Sequence, residues 1–278
     1  MSEQLNAELD IQCPLVEELL VSFLREELRS AGFEKAVVGV SGGIDSAVSV
    51  ALCARAFGPE NVLGVILPYR TSNPDSQAHA EELLAKLGTR QLVIDISEMV
   101  DAYLGDLGVE DPTRRGNVMA RVRMTMLYDQ SAAFNGLVIG TSNKTEMLLG
   151  YSTQFGDGAH AVNPLGDLFK HQVYQLADYL EIPSSIRTKA PSADLAPGQT
   201  DEADLGFSYA EADAILWRMV DRRFSPDEMA REGIPVHLVQ SIAKRIVRNQ
   251  FKRLPPVIAK LSERTINHDF RYLRDWKS

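Results

Sequence analysis

Only two cysteines, Cys13 and Cys53, occur among the 278 residues. That density argues against a disulfide framework, and neither belongs to a C-x-x-C metal spacing. Cys53 falls in a helical pattern and is expected to pack as a small apolar residue. A basic surplus is missing too, since the formal net charge is -9. An enzyme of nucleic acids is expected to carry a basic excess or a concentrated basic face, so no nucleic-acid partner is expected. No apolar run approaches the roughly 18 residues of a membrane span. The N-terminus lacks the basic, apolar, small-residue order of a secretory leader. The expectation is therefore a cytoplasmic protein with no membrane partner. Internal repeats and low-complexity segments are also absent. What is present is ordinary for a globular chain: 45% hydrophobic and 24% charged residues. That suffices for one large core, or a core with a small appendage.

One stretch organises the rest. Val37-Val38-Gly39-Val40 is a β-branched run, Ser41-Gly42-Gly43 a tight loop, and Ile44 onward (Ala47, Val48, Val50, Ala51, Leu52) a helical pattern. Strand, loop and helix in that order make an anion site, because a helix N-terminus presents free N–H groups and the positive end of its dipole. The glycines admit a close backbone approach, and Ser41 and Ser46 add hydroxyl donors. Asp45 would repel a phosphate unless a cation sat between them, which suggests Mg²⁺. A Walker A loop is excluded because its lysine is missing, and the glycine spacing is wrong for a dinucleotide fingerprint. Gly39-Val40-Ser41-Gly42-Gly43 does satisfy G-x-S-x-G, a nucleophile elbow with Ser41 as nucleophile. That reading wants several strands upstream, and one helical segment precedes this one.

Along the chain, a helix is expected over 14–31, followed by strands at 37–40, 61–67, 91–96 and 136–140. Helices are expected at about 75–87 and 117–134, with Met119, Val122, Met126 and Ala133 as the apolar stripe of the second. Strands alternating with helices predict an α/β fold, a doubly wound parallel sheet flanked by helices, with the ligand beyond the strand C-terminal ends. The fourth strand leads into a second polar loop, Thr141-Ser142-Asn143-Lys144-Thr145-Glu146. There Glu146 is either a second carboxylate for a cation or part of a helix cap. Lys170, ahead of a helix over about 171–180, is a candidate phosphate ligand or a surface lysine. Arg121 and Arg123 sit on a long helix, where a solvated face is the competing reading. Residues 193–206 have little to bury and are expected to form a mobile loop. A small C-terminal helical region is expected over 207–278, with helices at 209–220, 226–231 and 235–253.

Ser41-Gly42-Gly43-Ile44-Asp45-Ser46 matches S-G-G-x-D-S and resembles the loop of the ATP pyrophosphatases, whose fold is adenine nucleotide alpha hydrolase-like. GTSNKTE (140–146), GYSTQFGDGAHAVNPLGDLFK (150–170), PSADLAPGQTDEADLGFSY (191–209) and FKRLPP (251–256) are together similar to the NAD synthetase family. The resemblance covers essentially the whole chain. It implies one synthetase domain over 1–278, with the α/β nucleotide-binding part over 1–206 and no glutaminase domain. The implied reaction is ATP-dependent amidation of deamido-NAD by free ammonia, through an acyl adenylate. ATP would be held by Gly39, Val40, Ser41, Gly42, Gly43, Ile44, Asp45 and Ser46, with Thr141, Lys170 and Ser192. Asp45 and Glu146 would ligate Mg²⁺. Arg121, Gln154 and Lys252 would contact deamido-NAD, and Asp45, Lys170 and Asp157 are the candidate catalytic residues. A homodimer is implied, with the dinucleotide at the subunit interface. Gln154, Ala161 and Phe251 depart from the residues many members carry (lysine, aspartate and histidine), all on the deamido-NAD side. Another ATP pyrophosphatase, acting on a different acid or on tRNA, remains the alternative acceptor reading.

Overall fold

Valine and isoleucine runs too short and too apolar for helices become the centre of the molecule. In the computed structural model, which describes residues 7–105, 107–109, 111–195 and 198–266, these runs form one sheet. β1 (Ala36–Gly39), β2 (Val62–Ile66), β3 (Arg90–Val93) and β4 (Leu137–Ile139) are all parallel and lie in the order β3-β2-β1-β4. Val38 is paired with Gly64 on one side and Ile139 on the other. Strand residues alternate between faces. Val38 packs with Leu24 and Leu28 of α1 (Cys13–Ser30), Leu52 of α2 (Ile44–Phe57) and Leu84 of α3 (Pro74–Leu87). Val37 packs on the opposite face with Val100 of α4 (Ser97–Gly105) and Met119 of α5 (Pro112–Phe134). Helices therefore cover both faces, as a doubly wound sheet requires.

From β1 the chain moves to β2 on one side and, after α5, returns to β4 on the other. The order reverses between β1 and β4, so the crevice beyond their C-terminal ends is the expected ligand position. Two short helices begin there. α6 (Lys144–Leu149) follows β4, and α7 (Lys170–Tyr179) packs beside α2 in the first core. A one-turn helix, α8 (Ser184–Arg187), and α9 (Asp201–Leu205) lead to α10 (Tyr209–Leu216), α11 (Pro226–Arg231) and α12 (Val236–Arg248). These last helices build their own cluster around Ile215, Met229, Val239 and Ile242, which also takes in Leu149 of α6 and Phe169, the residue before α7.

Some expectations need correction. α5 starts at Pro112 rather than 117, because Asp111 caps it by accepting the Thr113 N–H at 2.8 Å. Proline fits the first turn, where no N–H is needed. Ala133 does not belong to the buried stripe and is exposed, one residue before the helix ends. The third strand stops at Val93 rather than 96. The loop expected over 193–206 contains α9, whose Asp201 and Leu205 are buried, so this stretch does have something to bury. Ala196 and Pro197 of that loop, and residues 267–278 of the expected helical C-terminal part, lie outside the described residues. The last expected helix splits into α12 and a 3-10 turn, Gln250–Arg253.

Candidate active site

The loop after β1 is held by its own serines. Ser46 Oγ accepts the Ser41 N–H at 3.2 Å and donates to the Gly43 carbonyl at 2.9 Å. Its single proton is thereby used, so in the 3.2 Å contact between the two hydroxyls Ser41 is the donor. Ser41 Oγ in turn accepts the Gly43 N–H at 3.3 Å. No side chain caps α2, which leaves its first amides for an anion. Gly42 cannot be replaced without strain: its φ is +74°, and a Cβ there would lie 2.1 Å from the Ser76 carbonyl oxygen.

A buried lysine joins this loop to the second one. Lys170, the first residue of α7, is 1% exposed. Its Nζ donates to Asp45 Oδ2 at 2.6 Å and to Glu146 Oε1 at 3.2 Å. Asn143 completes the link. Its Nδ2 donates to Asp45 Oδ1 at 2.8 Å, and its Oδ1 accepts the Glu146 N–H at 2.9 Å. Glu146 returns the favour through Oε2, which accepts the Asn143 N–H at 3.3 Å. The cap and the carboxylate cluster are thus one arrangement: one Glu146 oxygen caps α6 and the other faces Lys170. Tyr209, from α10, lies against the same group. The Lys170 ammonium sits 4.7 Å from the Tyr209 ring centroid, and the Tyr209 hydroxyl donates to Asp201 Oδ2 at 2.9 Å.

Two carboxylates share one ammonium, and the electrostatics reflect it. Burial and the charge of Asp45 push the Glu146 carboxyl up to about 8, against the pull of Lys170. Burial alone would lower the Lys170 pKa, but Asp45 and Glu146 outweigh it and the net shift is upward. Burial, then the Glu146 and Asp201 charges, also raises the Tyr209 phenol, so it stays a donor. Behind Lys170, burial raises the Asp213 carboxyl to about 6.

Asp45, Glu146, Lys170 and Asp201 line a cavity of about 1450 Å³. A single small-ligand pocket holds roughly 300–1,000 Å³, so this one has room for more than one substrate. Gly39, Val40, Ser41, Gly43, Ile44, Asp45, Ser46, Thr141, Glu146, Asp157, Lys170, Ser192 and Lys252 all line it. Gly42 supports the loop from behind. Asp157 accepts the Thr153 N–H at 2.7 Å. Ser192 donates to the Gln199 carbonyl at 2.6 Å. Lys252 donates to the carbonyls of Gly150 and Ser152 at 2.8 and 2.6 Å, so its ammonium also closes the turn after α6. Arg121 and Gln154 lie outside the cavity lining. Arg121 is exposed and donates from Nε to the Gln154 carbonyl at 3.3 Å. Ala161 and Phe251 are also exposed and outside it, so none of the three departures faces this cavity. Arg123, given no site role in the sequence and a solvated helix face as its competing reading, lines the cavity and donates to the Leu67 carbonyl at 3.0 Å. Sequence reasoning missed Tyr209 and Asp201, and named Asn143 only as part of the polar loop after the fourth strand.

The model of one family, described as NAD synthase, matches residues 16–256. The chain belongs to the NAD synthase family. The "NH(3)-dependent NAD(+) synthetase" of Chlorobium phaeovibrioides is 54% identical over 270 residues, covering 97% of this chain and 98% of the relative. That of Trichlorobacter lovleyi is 52% identical over 268 residues, covering 96% and 98%. Among solved structures, the NH3-dependent NAD synthetase from Campylobacter jejuni is 34% identical, with a TM-score of 0.78, covering 90% of this chain and 100% of that one. The NMN synthetase from Francisella tularensis is 33% identical, with a TM-score of 0.79, covering 90% and 99%. These two solved structures share this fold over nearly their full length.

Proposed function

We propose that this chain is an ammonia-dependent NAD synthetase, converting deamido-NAD, ATP and ammonia into NAD, AMP and pyrophosphate. The observation that carries the reading is the Lys170 ammonium held between Asp45 and Glu146 at the start of the β1 loop helix. Family membership supplies the reaction. A carboxylate is a poor electrophile and must first be activated. Its oxygen attacks the α-phosphorus of ATP, the bond to pyrophosphate breaks, and an acyl adenylate forms. Ammonia attacks the acyl carbon, the C–O bond breaks, a proton is lost, and AMP leaves with the oxygen that came from the carboxylate.

No side-chain nucleophile is needed, so the residues act by positioning and by neutralising charge. Ser41, Ser46 and the first amides of α2 hold phosphate oxygens. Lys170 answers the negative charge that builds as pyrophosphate departs. Thr141 and Ser192 line the ATP side. Asp157, Lys252, Arg121 and Gln154 serve deamido-NAD. Arg121 and Gln154 lie outside the cavity lining, which supports a dimer in which a second copy completes the dinucleotide site. The 193–206 segment, which lines the cavity at Asp194, Leu195 and Asp201, would shield the adenylate from water. The setting is cytoplasmic, and ammonia is taken up free.

The donor set fits Mg²⁺. Asp45 and Glu146 offer hard carboxylate oxygens that already share a cation, and Mg²⁺ is usually held by one or two carboxylates with substrate phosphates. Among the described residues there is no cluster of three or more His, Cys, Asp and Glu that could hold a metal alone. Bound there with ATP, Mg²⁺ supplies charge neutralisation at the phosphates.

The hydrolase reading of Ser41 finds no support. Its hydroxyl is engaged by Ser46 and Gly43, and no histidine among the described residues hydrogen-bonds to it. The acid that would give NMN is the acceptor to compare, given the relative of that name. Deamido-NAD labelled with ¹⁸O in its carboxylate tests the chemistry. One label is expected in AMP; label only in pyrophosphate, or in neither product, would reject the adenylate.

A further inference from the structure

Lys170 has no N-cap side chain of its own, because Phe169 stands at that position. The amides at the start of α7 are satisfied from two other helices. Thr145 Oγ1, on α6, accepts the Lys170 N–H at 3.0 Å. Asp213 Oδ2, on α10, accepts the His171 N–H at 2.8 Å. Asp213 Oδ1 takes the Thr145 hydroxyl proton. The direction of that last bond is set by the ionised carboxylate, which has no proton to give. Asp213 and Thr145 are both fully buried.

From this geometry we infer that Asp213, acting through Thr145, is a positioning residue for the Lys170–Glu146 pair. Thr145 immediately precedes Glu146, and the two amides belong to Lys170 and its neighbour. One carboxylate therefore fixes the starts of both helices that bring the ammonium and the second carboxylate together. It also accepts at the positive end of the α7 dipole. Only a group with two acceptors serves both donors. Asparagine keeps one acceptor and turns an NH₂ toward the other donor, so an isosteric change breaks the relay. Tyr209 lies four residues before Asp213 on α10, so that helix backs the lysine twice, under its ammonium and under its backbone. The inference rests on the synthetase reading for its assay.

The test compares Asp213→Asn, Thr145→Val and Thr145→Ser in the full chain, with kcat, KM for each substrate, and thermal unfolding. Asp213→Asn and Thr145→Val are expected to lower kcat per folded molecule by about 10- to 100-fold, the cost of misplacing a reacting group by about an ångström. KM for deamido-NAD stays within about twofold, because that substrate's contacts are elsewhere. Thr145→Ser restores the hydroxyl and most of kcat. Should Asp213→Asn not fold, the valine–serine pair decides alone. If Thr145→Val keeps wild-type kcat per folded molecule, or if serine fails to rescue it, Asp213 only stabilises the fold and the inference is wrong. A wild-type protein that makes no NAD would fail earlier and separately, at the function itself.

Discussion

Lys170 Nζ and Asp45 Oδ2 lie 2.6 Å apart, although the residues are separated by 125 positions in sequence. One starts α7 and the other sits in the first turn of α2, so the contact couples the phosphate loop to the far half of the chain. Replacing Lys170 with methionine leaves Asp45 and Glu146 facing one another without a cation. The variant is expected to lose at least about 100-fold in kcat, the scale of removing a preorganised charge. It also unfolds at a lower temperature, because breaking a buried pair leaves charge uncompensated. Added Mg²⁺ should raise the melting temperature of the variant more than that of the wild type. A differential scanning measurement with and without Mg²⁺ checks both statements.

Gly42 gives a sharper structural prediction. Gly42→Ala meets both a positive φ and a contact of 2.1 Å with the Ser76 carbonyl oxygen, so the loop must move. Gly43→Ala meets only its neighbour's Ser41 Oγ, at 3.3 Å. The first variant is expected to lose more than about 1 kcal/mol of stability and most ATP turnover. The second should lose less stability. Urea unfolding of the two side by side measures the difference.

The loop, the order of elements and the doubly wound sheet were legible in the sequence because they rest on local patterns: β-branched runs, paired glycines and helical periodicity. The roles of Asn143, Tyr209 and Asp213 were not, since each depends on a contact across 63 to 98 positions. Nothing local marks Asn143 as a partner of Asp45, because it already makes sense as a cap. The 193–206 stretch misled for a related reason. Its composition is that of a loop, yet Asp201 is buried by two tyrosine hydroxyls, from Tyr151 and Tyr209, which a local reading does not contain. Arg121 and Arg123 look alike in sequence, and only the packing of α5 turns the second toward the cavity.

Asp213 predicts a pH effect on stability. Its folded pKa, about 6, stands above the ordinary 3.8. Between those values the folded state binds more protons than the unfolded one, so this group's contribution is fully present at low pH and is lost as pH rises through 6. The slope approaches about 1.4 kcal/mol per pH unit in that window. Asp213→Asn removes the slope, so subtracting its stability curve from that of the wild type between pH 4 and 7 should leave a falling line. A flat difference would mean that the carboxyl is not shifted.

Arg121 tests the assembly. Exposed on α5 and outside the cavity lining, it would reach deamido-NAD only where a second copy brings the ligand to that face. Arg121→Ala is expected to raise KM for deamido-NAD about tenfold or more, with KM for ATP unchanged. Sedimentation should give a dimer, and activity per chain should fall on dilution through its dissociation range. A fully active monomer would reject the shared site.

The most direct test of the whole account is the stoichiometry of products. Purified protein is mixed with ATP, Mg²⁺, ammonium and deamido-NAD, and NAD, AMP and pyrophosphate are measured together. The account predicts that the three appear in equal amounts and only when ammonium is present. AMP without NAD, ADP in place of AMP, or no consumption of ATP would contradict it.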